Sequence, residues 1–112
     1  MVSFTKGEIV LFPFPYTDLS NRKLRPCLVI SNEIGEDIVL CQITSQRIRK
    51  DDHCVEIGHD KTLGGSLELD SYVRANMIFT AYKGQIERKI CMIRDEDYSK
   101  VVNIITDIIS KT

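Results

Sequence analysis

Residues 25–46, RPCLVISNEIGEDIVLCQITSQ, contain two apolar runs separated by a short polar stretch. Both runs are rich in β-branched residues, and the asparagine and glycine between them favour a turn. We therefore expect two strands paired as an antiparallel hairpin. Because the first strand of a hairpin begins where the second one ends, Arg25 is expected beside residues 44–46, a threonine, a serine and a glutamine.

Further strands are predicted on both sides of this hairpin. The segment GEIVLFPFPYT, residues 7–17, is expected to be a strand that leaves the sheet where Pro13 and Pro15 interrupt ladder pairing. The following TDLSNRK is rich in turn-forming residues and is expected to be a loop that carries the first cations. Later β-like runs lie in HCVEIG, residues 53–58, and SLELDSYVRANMIFTAY, residues 66–82, with a glycine-rich break between them.

The end of the chain has a different periodicity. Apolar residues from Tyr98 to Ile109 recur at helical spacing, and three acidic residues precede them. This pattern predicts an amphipathic C-terminal helix that covers the sheet, although valine, isoleucine and threonine are poor helix formers. The expected fold class is mostly β with a peripheral helix.

Length and composition predict a single domain over residues 1–112. A chain of 112 residues can bury one modest core, and its 43% hydrophobic and 28% charged residues are typical of globular proteins. The opening MVSFTKGEIVLF lacks the pattern of a signal peptide, and the apolar runs are too short to span a bilayer. A cytoplasmic location without a membrane partner is therefore expected.

The four cysteines predict buried, reduced thiols. Cys27 and Cys41 lie inside apolar strand-like runs, and the chain has no Cys-x-x-Cys pair. A zinc site would need His53, Cys54 and His59 to converge with a fourth ligand, but their spacing matches no common ligand pattern. Neither a metal nor a cofactor is expected.

The charges are distributed unevenly. A net charge of −1 argues against a protein that binds nucleic acid through its overall field. Between Ser20 and Lys50, however, the sequence contains six cations and only three anions. The cations are Arg22, Lys23, Arg25, Arg47, Arg49 and Lys50, and the anions are Glu33, Glu36 and Asp37. A local cationic site is therefore compatible with an acidic chain.

Arg25 and the residues expected beside it form a chemically coherent group. Pro26 biases Arg25 towards extended geometry and so fixes its guanidinium at a strand start. An arbitrary surface arginine usually makes only a weak ion pair, but here hydroxyls and an amide are expected at the same edge. Because an arginine fork matches phosphate oxygens and a hydroxyl can orient an attacking group, this group points to phosphate chemistry without a metal.

Four sequence blocks occur in a specific order and spacing: KGEIVLFPFPYTD, RPCLVIS, VLCQITSQ and SYVRANMIFTAYKGQIERKICMI, the last read as a late strand pair. Together they resemble the MazF/PemK-like endoribonuclease toxins of bacterial toxin–antitoxin pairs. The resemblance covers nearly the whole chain. It implies a small SH3-like barrel of the MazF/CcdB type, a homodimer and a cognate antitoxin that blocks it.

The resemblance also implies the reaction and its residues. The expected reaction is metal-independent cleavage of single-stranded RNA by attack of the 2′-hydroxyl, which gives a cyclic phosphate and a 5′-hydroxyl and excludes DNA. The catalytic arginine of the family falls on Arg25, which would stabilise the phosphorane and protonate the leaving oxygen. The catalytic threonine falls on Thr44, which would hold the phosphate or the attacking hydroxyl. Further RNA contacts are expected from Tyr16, Arg22, Lys23, Ser45, Gln46 and Arg74.

Some residues have alternative interpretations. The first loop, PYTDLSNRKLR, departs from the better-known MazF loop, so the cleavage sequence cannot be transferred. Phe79 stands where many MazF members have an arginine. Packing beside two prolines explains Tyr16 as well as base stacking does, and a structural ion pair explains Arg74 as well as an RNA contact does.

Three other functions remain open at the level of sequence. A CcdB-like gyrase poison would need a Trp-Gly-Ile chain end, whereas this chain has no tryptophan and ends in ISKT. A barrel could bind RNA or an antitoxin without turnover. An acid–base nuclease could use His53 or His59, and its pH–rate profile would then have limbs near neutrality.

Overall fold

A computed structural model describes residues 3–15, 22–46 and 52–111. Its strands are β1 (Glu8–Pro15), β2 (Arg22–Val29), β3 (Asp37–Thr44), β4 (Cys54–Ile57), β5 (Ser71–Tyr82) and β6 (Arg88–Met92), and its helices are a 3-10 turn (Lys83–Gln85) and α1 (Asp95–Ser110). The strands form one curled antiparallel sheet, a half-barrel, in the order β4-β5-β3-β2-β1-β6. The predicted mostly β fold with a C-terminal helix is confirmed. No helix in these ranges has the length and apolar character needed to cross a membrane.

The predicted hairpin of β2 and β3 is present. Cys27 pairs with Gln42 and Val29 pairs with Leu40, in antiparallel register. The turn between the strands is closed by two backbone hydrogen bonds between Ile34 and Asp37. This hairpin is the centre of the sheet, and β1 and β5 flank it.

The first strand does not leave the sheet at its prolines, so that prediction is wrong. β1 pairs with β2 as far as Pro15, which lies opposite Arg22. The Leu11 carbonyl accepts a hydrogen bond from Glu87 N–H, so the backbone groups of alternate residues in β1 point towards β6. Pro13 and Pro15 belong to this alternate set. Because β6 pairs with β1 only as far as Leu11, neither proline has to donate to a ladder.

The start of β2 and the last two strands also differ from expectation. β2 begins at Arg22, so the first cations belong to a strand and not to a loop. The late strands are not a pair: β5 pairs with β3 and β4, whereas β6 pairs with β1. The connection through Lys83–Gln85 takes the chain from β5 to the far edge of the sheet, next to β1. There β6 satisfies the backbone groups of β1 that point away from β2.

Both faces of the sheet carry a hydrophobic cluster. The face covered by α1, called the helix face, buries Ile9, Leu28, Cys41, Ile43, Val55, Ile57, Leu67, Val73, Ala75, Cys91, Ile93 and Val101. The opposite face, called the Arg25 face, buries Phe4, Val10, Phe12, Cys27, Val29, Ile38, Leu40 and Ala81. Because neither face is fully open to water, the sequences of the strands are nearly continuous apolar runs.

The helix has the predicted amphipathic character. Asp95, Glu96 and Asp97 occupy its first turn, where carboxylates interact favourably with the helix dipole. Val101 is its one fully buried side chain and packs into the helix-face cluster. Tyr98 donates its hydroxyl to the Ile30 carbonyl at 3.3 Å, which ties the helix to the segment after β2.

All four cysteines are free thiols, as predicted. Cys27, Cys41 and Cys91 are buried, and Cys54 is half-buried. Burial, together with the charge of a neighbouring cysteine, raises the pKa of the Cys27 and Cys41 thiols to about 12. These two thiols are therefore neutral near pH 7 and act as packing groups.

Candidate active site

A row of side chains crosses the Arg25 face at one end of the sheet. Phe12 of β1 lies opposite Arg25 of β2. Continuing the β2–β3 register by two residues from Cys27 and Gln42 places Arg25 opposite Thr44. Residues directly opposite each other in adjacent strands share a face, with Cα atoms about 4.5–5.5 Å apart. The ladder itself ends at Cys27 and Gln42, and its register agrees with the expected neighbourhood of Arg25 and Thr44.

The same row continues into the last two strands on this side of the sheet. Thr44 lies opposite Tyr72 of β5, and Tyr72 lies opposite Glu56 of β4. Tyr72 is half-buried and Glu56 is exposed. Sequence reasoning missed both residues, because their relation to Thr44 depends on β5 inserting between β3 and β4 rather than on any local motif.

Thr44 is held firmly at the end of β3. The residue is only 7% exposed, and its Oγ1 accepts a hydrogen bond from Gln46 N–H at 3.2 Å. This bond uses the hydroxyl oxygen as an acceptor and leaves its proton available for donation. Thr44 can therefore act as a fixed hydrogen-bond donor at the strand end.

Arg74 lies one pleat away on the same face. It is opposite Cys54 in the β4–β5 pair, and its carbonyl accepts a hydrogen bond from Cys41 Sγ at 2.8 Å. Its Nε is buried and has no acceptor among the described residues. Since a guanidinium N–H without an acceptor is costly in a protein interior, this atom lowers the stability of the protein. The structural ion pair considered for Arg74 finds no support at Nε.

The remaining predicted site residues are more dispersed. Lys23 is exposed on β2, opposite Phe14 of β1, and lies on the same face as Arg25. Arg22 is the first residue of β2. Gln46 is exposed just after β3 and contacts Thr44 through its backbone N–H. Tyr16 lies outside the described residues.

Ser45 lines a different part of the surface. A groove of about 440 Å³ opens on the helix face at the same end of the sheet. Its lining residues include Leu11, Leu24, Pro26, Ser45, Leu67, Ser71 and Arg88. The groove and the Arg25 row therefore occupy opposite faces, and Ser45 lines the groove.

The histidines lie far from Arg25 along the sheet. His53 and His59 flank β4, which is separated from β2 by three strand spacings, or about 14 Å. His59 Nδ1 lies 2.7 Å from Asp70 Oδ1, and the same oxygen accepts the His59 backbone N–H at 2.9 Å. The hydrogen bond to Asp70 raises the pKa of His59. This pair joins the two ends of the loop between β4 and β5.

Residues 3–15, 22–46 and 52–111 contain no group of three or more histidine, cysteine, aspartate or glutamate side chains arranged to hold a metal ion. The row that crosses the Arg25 face contains the guanidinium of Arg25, the hydroxyls of Thr44 and Tyr72 and the carboxylate of Glu56. Guanidinium and hydroxyl donors can bind a phosphate and stabilise charge that develops on it. The absence of a metal from the reaction stays a prediction.

Comparison with known proteins gives the family. A family model described as PemK-like, MazF-like toxin of type II toxin–antitoxin system matches residues 5–109. The chain belongs to this family. The match includes Arg25, Thr44 and Arg74 as well as every strand and nearly all of α1, so the MazF-like toxin resemblance predicted from four blocks is confirmed. No curated protein gives a significant sequence match.

Solved structures share the fold of this MazF-like toxin. A MazE–MazF structure from Deinococcus radiodurans has a TM-score of 0.77 at 17% identity, with 100% of both chains covered. An endoribonuclease in complex with its cognate antitoxin, from a mycobacterial species, has a TM-score of 0.73 at 19% identity, with 97% of both chains covered. Mycobacterium tuberculosis toxin MazF-mt6 has a TM-score of 0.72 at 16% identity, with 94% of this chain and 98% of that chain covered.

Proposed function

We propose that this toxin is a metal-independent, sequence-selective endoribonuclease that cleaves single-stranded RNA. The observation that supports the proposal is the β2–β3 register, which, continued by two residues, brings Arg25 opposite Thr44 on the face that also carries Arg74. Two structures of the same fold, at 19% and 21% identity, are described as endoribonucleases from mycobacterial species. Membership of the MazF-like family supports the same activity.

The proposed reaction is an internal phosphoryl transfer. The ribose 2′-oxygen forms a bond to phosphorus as its proton passes to solvent water, and the bond from phosphorus to the 5′-oxygen breaks. The products are a 2′,3′-cyclic phosphate and a 5′-hydroxyl. Because the nucleophile is the 2′-hydroxyl, DNA cannot react in this way.

Arg25 and Thr44 have complementary roles in this reaction. The Arg25 guanidinium donates hydrogen bonds to the non-bridging oxygens, whose negative charge grows in the phosphorane. An arginine keeps its proton in proteins, so Arg25 stabilises the leaving 5′-oxygen by hydrogen bonding and water supplies the proton. Thr44, fixed by its bond from Gln46 N–H, donates its hydroxyl proton to the same phosphate.

The other predicted contacts extend this site along the RNA. Lys23 and Arg74 would bind phosphates on either side of the scissile one, because both lie on the face that carries Arg25. Tyr16, Arg22, Ser45 and Gln46 are proposed as further RNA contacts.

The biological partners follow from the family. The proposed partners are single-stranded RNA, a cognate antitoxin and a second copy of the chain, in the cytoplasm and without independent DNA binding. The Deinococcus MazE–MazF structure and the mycobacterial complex support the antitoxin. The absence of tryptophan argues against the CcdB-like alternative.

The test is cleavage of a long mixed-sequence single-stranded RNA in excess chelator, with every new end mapped and its phosphate identified. The parent is expected to make discrete cuts with 5′-hydroxyl ends. Arg25→Ala is expected to lower cleavage by about 10²-fold or more, the loss typical of removing one preorganised donor. Arg25→Lys should also be impaired, since an ammonium cannot make the bidentate phosphate contact.

Arg88→Ala is the matched control. Arg88 is an exposed arginine on β6 that lines the helix-face groove, so its loss should leave the cleavage rate unchanged. Native-like circular dichroism would establish that each variant is folded. Unchanged cleavage by folded Arg25→Ala would remove Arg25 from the mechanism, and a folded parent that binds RNA without cutting it would be a binding protein without turnover.

A further inference from the structure

Three phenylalanines form a cluster at the border of the core on the Arg25 face. The ring centroids of Phe12 and Phe14 are 5.6 Å apart, and Phe79 lies 5.5 Å from each of them. The rings meet edge to face or tilted, with interplanar angles of 58–70°. Phe12 is 8% exposed, whereas Phe14 and Phe79 are only partly buried. Two aromatic rings of the cluster therefore reach the surface.

Cations are aligned with these rings across the β1–β2 pair. Phe12 lies opposite Arg25, and Phe14 lies opposite Lys23. Each ring is thus one strand spacing, about 5 Å, from a cationic residue on the same face of the sheet. A cluster that served only to close the core would not need partly exposed rings with cations in matching positions.

Rings paired with cations match the chemistry of a single-stranded nucleic acid. Every base has a flat face that can stack on an aromatic ring, and every nucleotide carries a phosphate that a cation can bind. We propose that Phe14 and Phe79 form a base-stacking platform for a nucleotide next to the phosphate bound at Arg25. This inference rests on the proposed RNA cleavage and adds to it a site for the neighbouring base.

Phe79 gains a role in this arrangement. It is a residue of β5 and lies opposite Leu40 of β3. Its ring contacts the rings of Phe12 and Phe14 on β1, on the other side of the central hairpin. A phenylalanine at this position offers a stacking surface and no hydrogen-bond donor or acceptor. The platform is therefore expected to hold any base, with a preference that follows stacking strength and not base-edge recognition.

The chain has no tryptophan, so Phe79→Trp creates a single fluorescent reporter inside the proposed platform. Saturating single-stranded RNA is expected to quench its emission, and an abasic nucleotide beside the cleaved phosphate is expected to restore it. Phe4→Trp is the matched control. Phe4 is 7% exposed in the same cluster and is anchored near Glu33, at the other end of the strands, so its reporter should not respond.

Loss of the rings should weaken RNA binding strongly and should slow the chemical step only slightly. Phe14→Leu and Phe79→Leu keep apolar volume but remove the flat surface, so each is expected to raise KM about 10-fold with kcat changed by only a few fold. Phe4→Leu tests for general loosening of the cluster and should leave KM unchanged. If a variant does not fold, RNA carrying 2-aminopurine at each position in turn tests stacking on the unmodified protein, where one position should be quenched.

Binding is measured with RNA that carries a 2′-deoxy nucleotide at the cleaved position, which separates the two proposals. RNA binding that is lost in the phenylalanine variants, with a parent that never cuts RNA, would refute the cleavage and support the platform. Normal cleavage with an unchanged KM in both leucine variants would overturn the platform and leave the cleavage intact. A change only in oligomeric state, no quenching of 2-aminopurine at any position, or no binding of single-stranded RNA by the parent would also overturn it.

Discussion

Gln46 N–H donates a hydrogen bond to Thr44 Oγ1 at 3.2 Å, which fixes the threonine side chain at the end of β3. Thr44 therefore has two roles. Its hydroxyl oxygen accepts this bond in the local turn, and its hydroxyl proton is available for the proposed phosphate contact. Conservative substitutions can separate them, because serine keeps the hydroxyl and valine keeps the shape.

We expect Thr44→Val to lower cleavage by roughly 10- to 100-fold, because one donor to the phosphate is lost. It should also destabilise the protein by about 1 kcal/mol, since Gln46 N–H loses its acceptor. Thr44→Ser should retain most of the activity. The measurements are single-turnover cleavage and denaturant unfolding, and equal cleavage by the valine and serine variants would contradict the catalytic role of the hydroxyl.

Arg74 should behave as a binding residue and not as a stabilising one. Its Nε is buried without an acceptor in the described part of the chain, so Arg74→Met removes an unsatisfied group and keeps apolar volume. We expect unchanged stability or a gain of up to about 1 kcal/mol. RNA affinity should fall, and the slope of log K against log salt should lose about one unit.

Arg88→Met is the control for Arg74→Met, because it removes an exposed arginine from the groove on the helix face. Its salt slope should match that of the parent. A marked loss of stability in Arg74→Met, with an unchanged salt slope, would show that Arg74 is structural.

The β2–β3 hairpin and the final helix could be predicted from sequence because their signals are local. The turn between PCLVIS and DIVLCQITSQ sets the register, and the register, continued by two residues, brings Arg25 beside Thr44. The pairings of β5 and β6 could not be predicted, since they depend on which sheet edge remains open after the hairpin forms. Tyr72 and Glu56 were missed for the same reason.

The prolines of β1 show why a residue rule can fail. Pro13 and Pro15 would break a strand that donates on both sides, but β6 ends before it reaches them. Only the three-dimensional arrangement shows which side of the strand lacks a partner. The same arrangement brings Phe79 of β5 to Phe12 of β1, although 66 positions separate them in sequence.

Val101 should carry most of the attachment of α1. It is the buried residue of the helix and packs in the helix-face cluster. We expect Val101→Ala to destabilise the protein by roughly 2 kcal/mol, from two lost methyl groups and the cavity left behind. Ile109→Ala, at a side chain that is 76% exposed, should change stability by less than about 0.5 kcal/mol. Similar denaturant midpoints for the two variants would show that the helix is not packed as described.

The His59–Asp70 pair should make stability depend on pH. The hydrogen bond that His59 donates to Asp70 raises the pKa of His59 above its usual value, and bonds from the His59 backbone and ring lower the pKa of Asp70. The histidine contribution is complete below the usual histidine pKa and is lost as pH rises through the raised one. The aspartate contribution is present above the usual aspartate pKa and is lost as pH falls through the lowered one.

The melting temperature of Asp70→Asn should therefore differ most from that of the parent at about pH 5–6, where both groups are charged. The difference should shrink above the raised pKa of His59, although Asp70 still accepts the His59 backbone N–H there. Asp60→Asn is the control, since Asp60 acts on His59 by charge alone and should shift the imidazole titration less. Cleavage by His59→Gln should follow the same pH profile as the parent; a limb near neutrality that disappears in this variant would instead favour acid–base catalysis by His59.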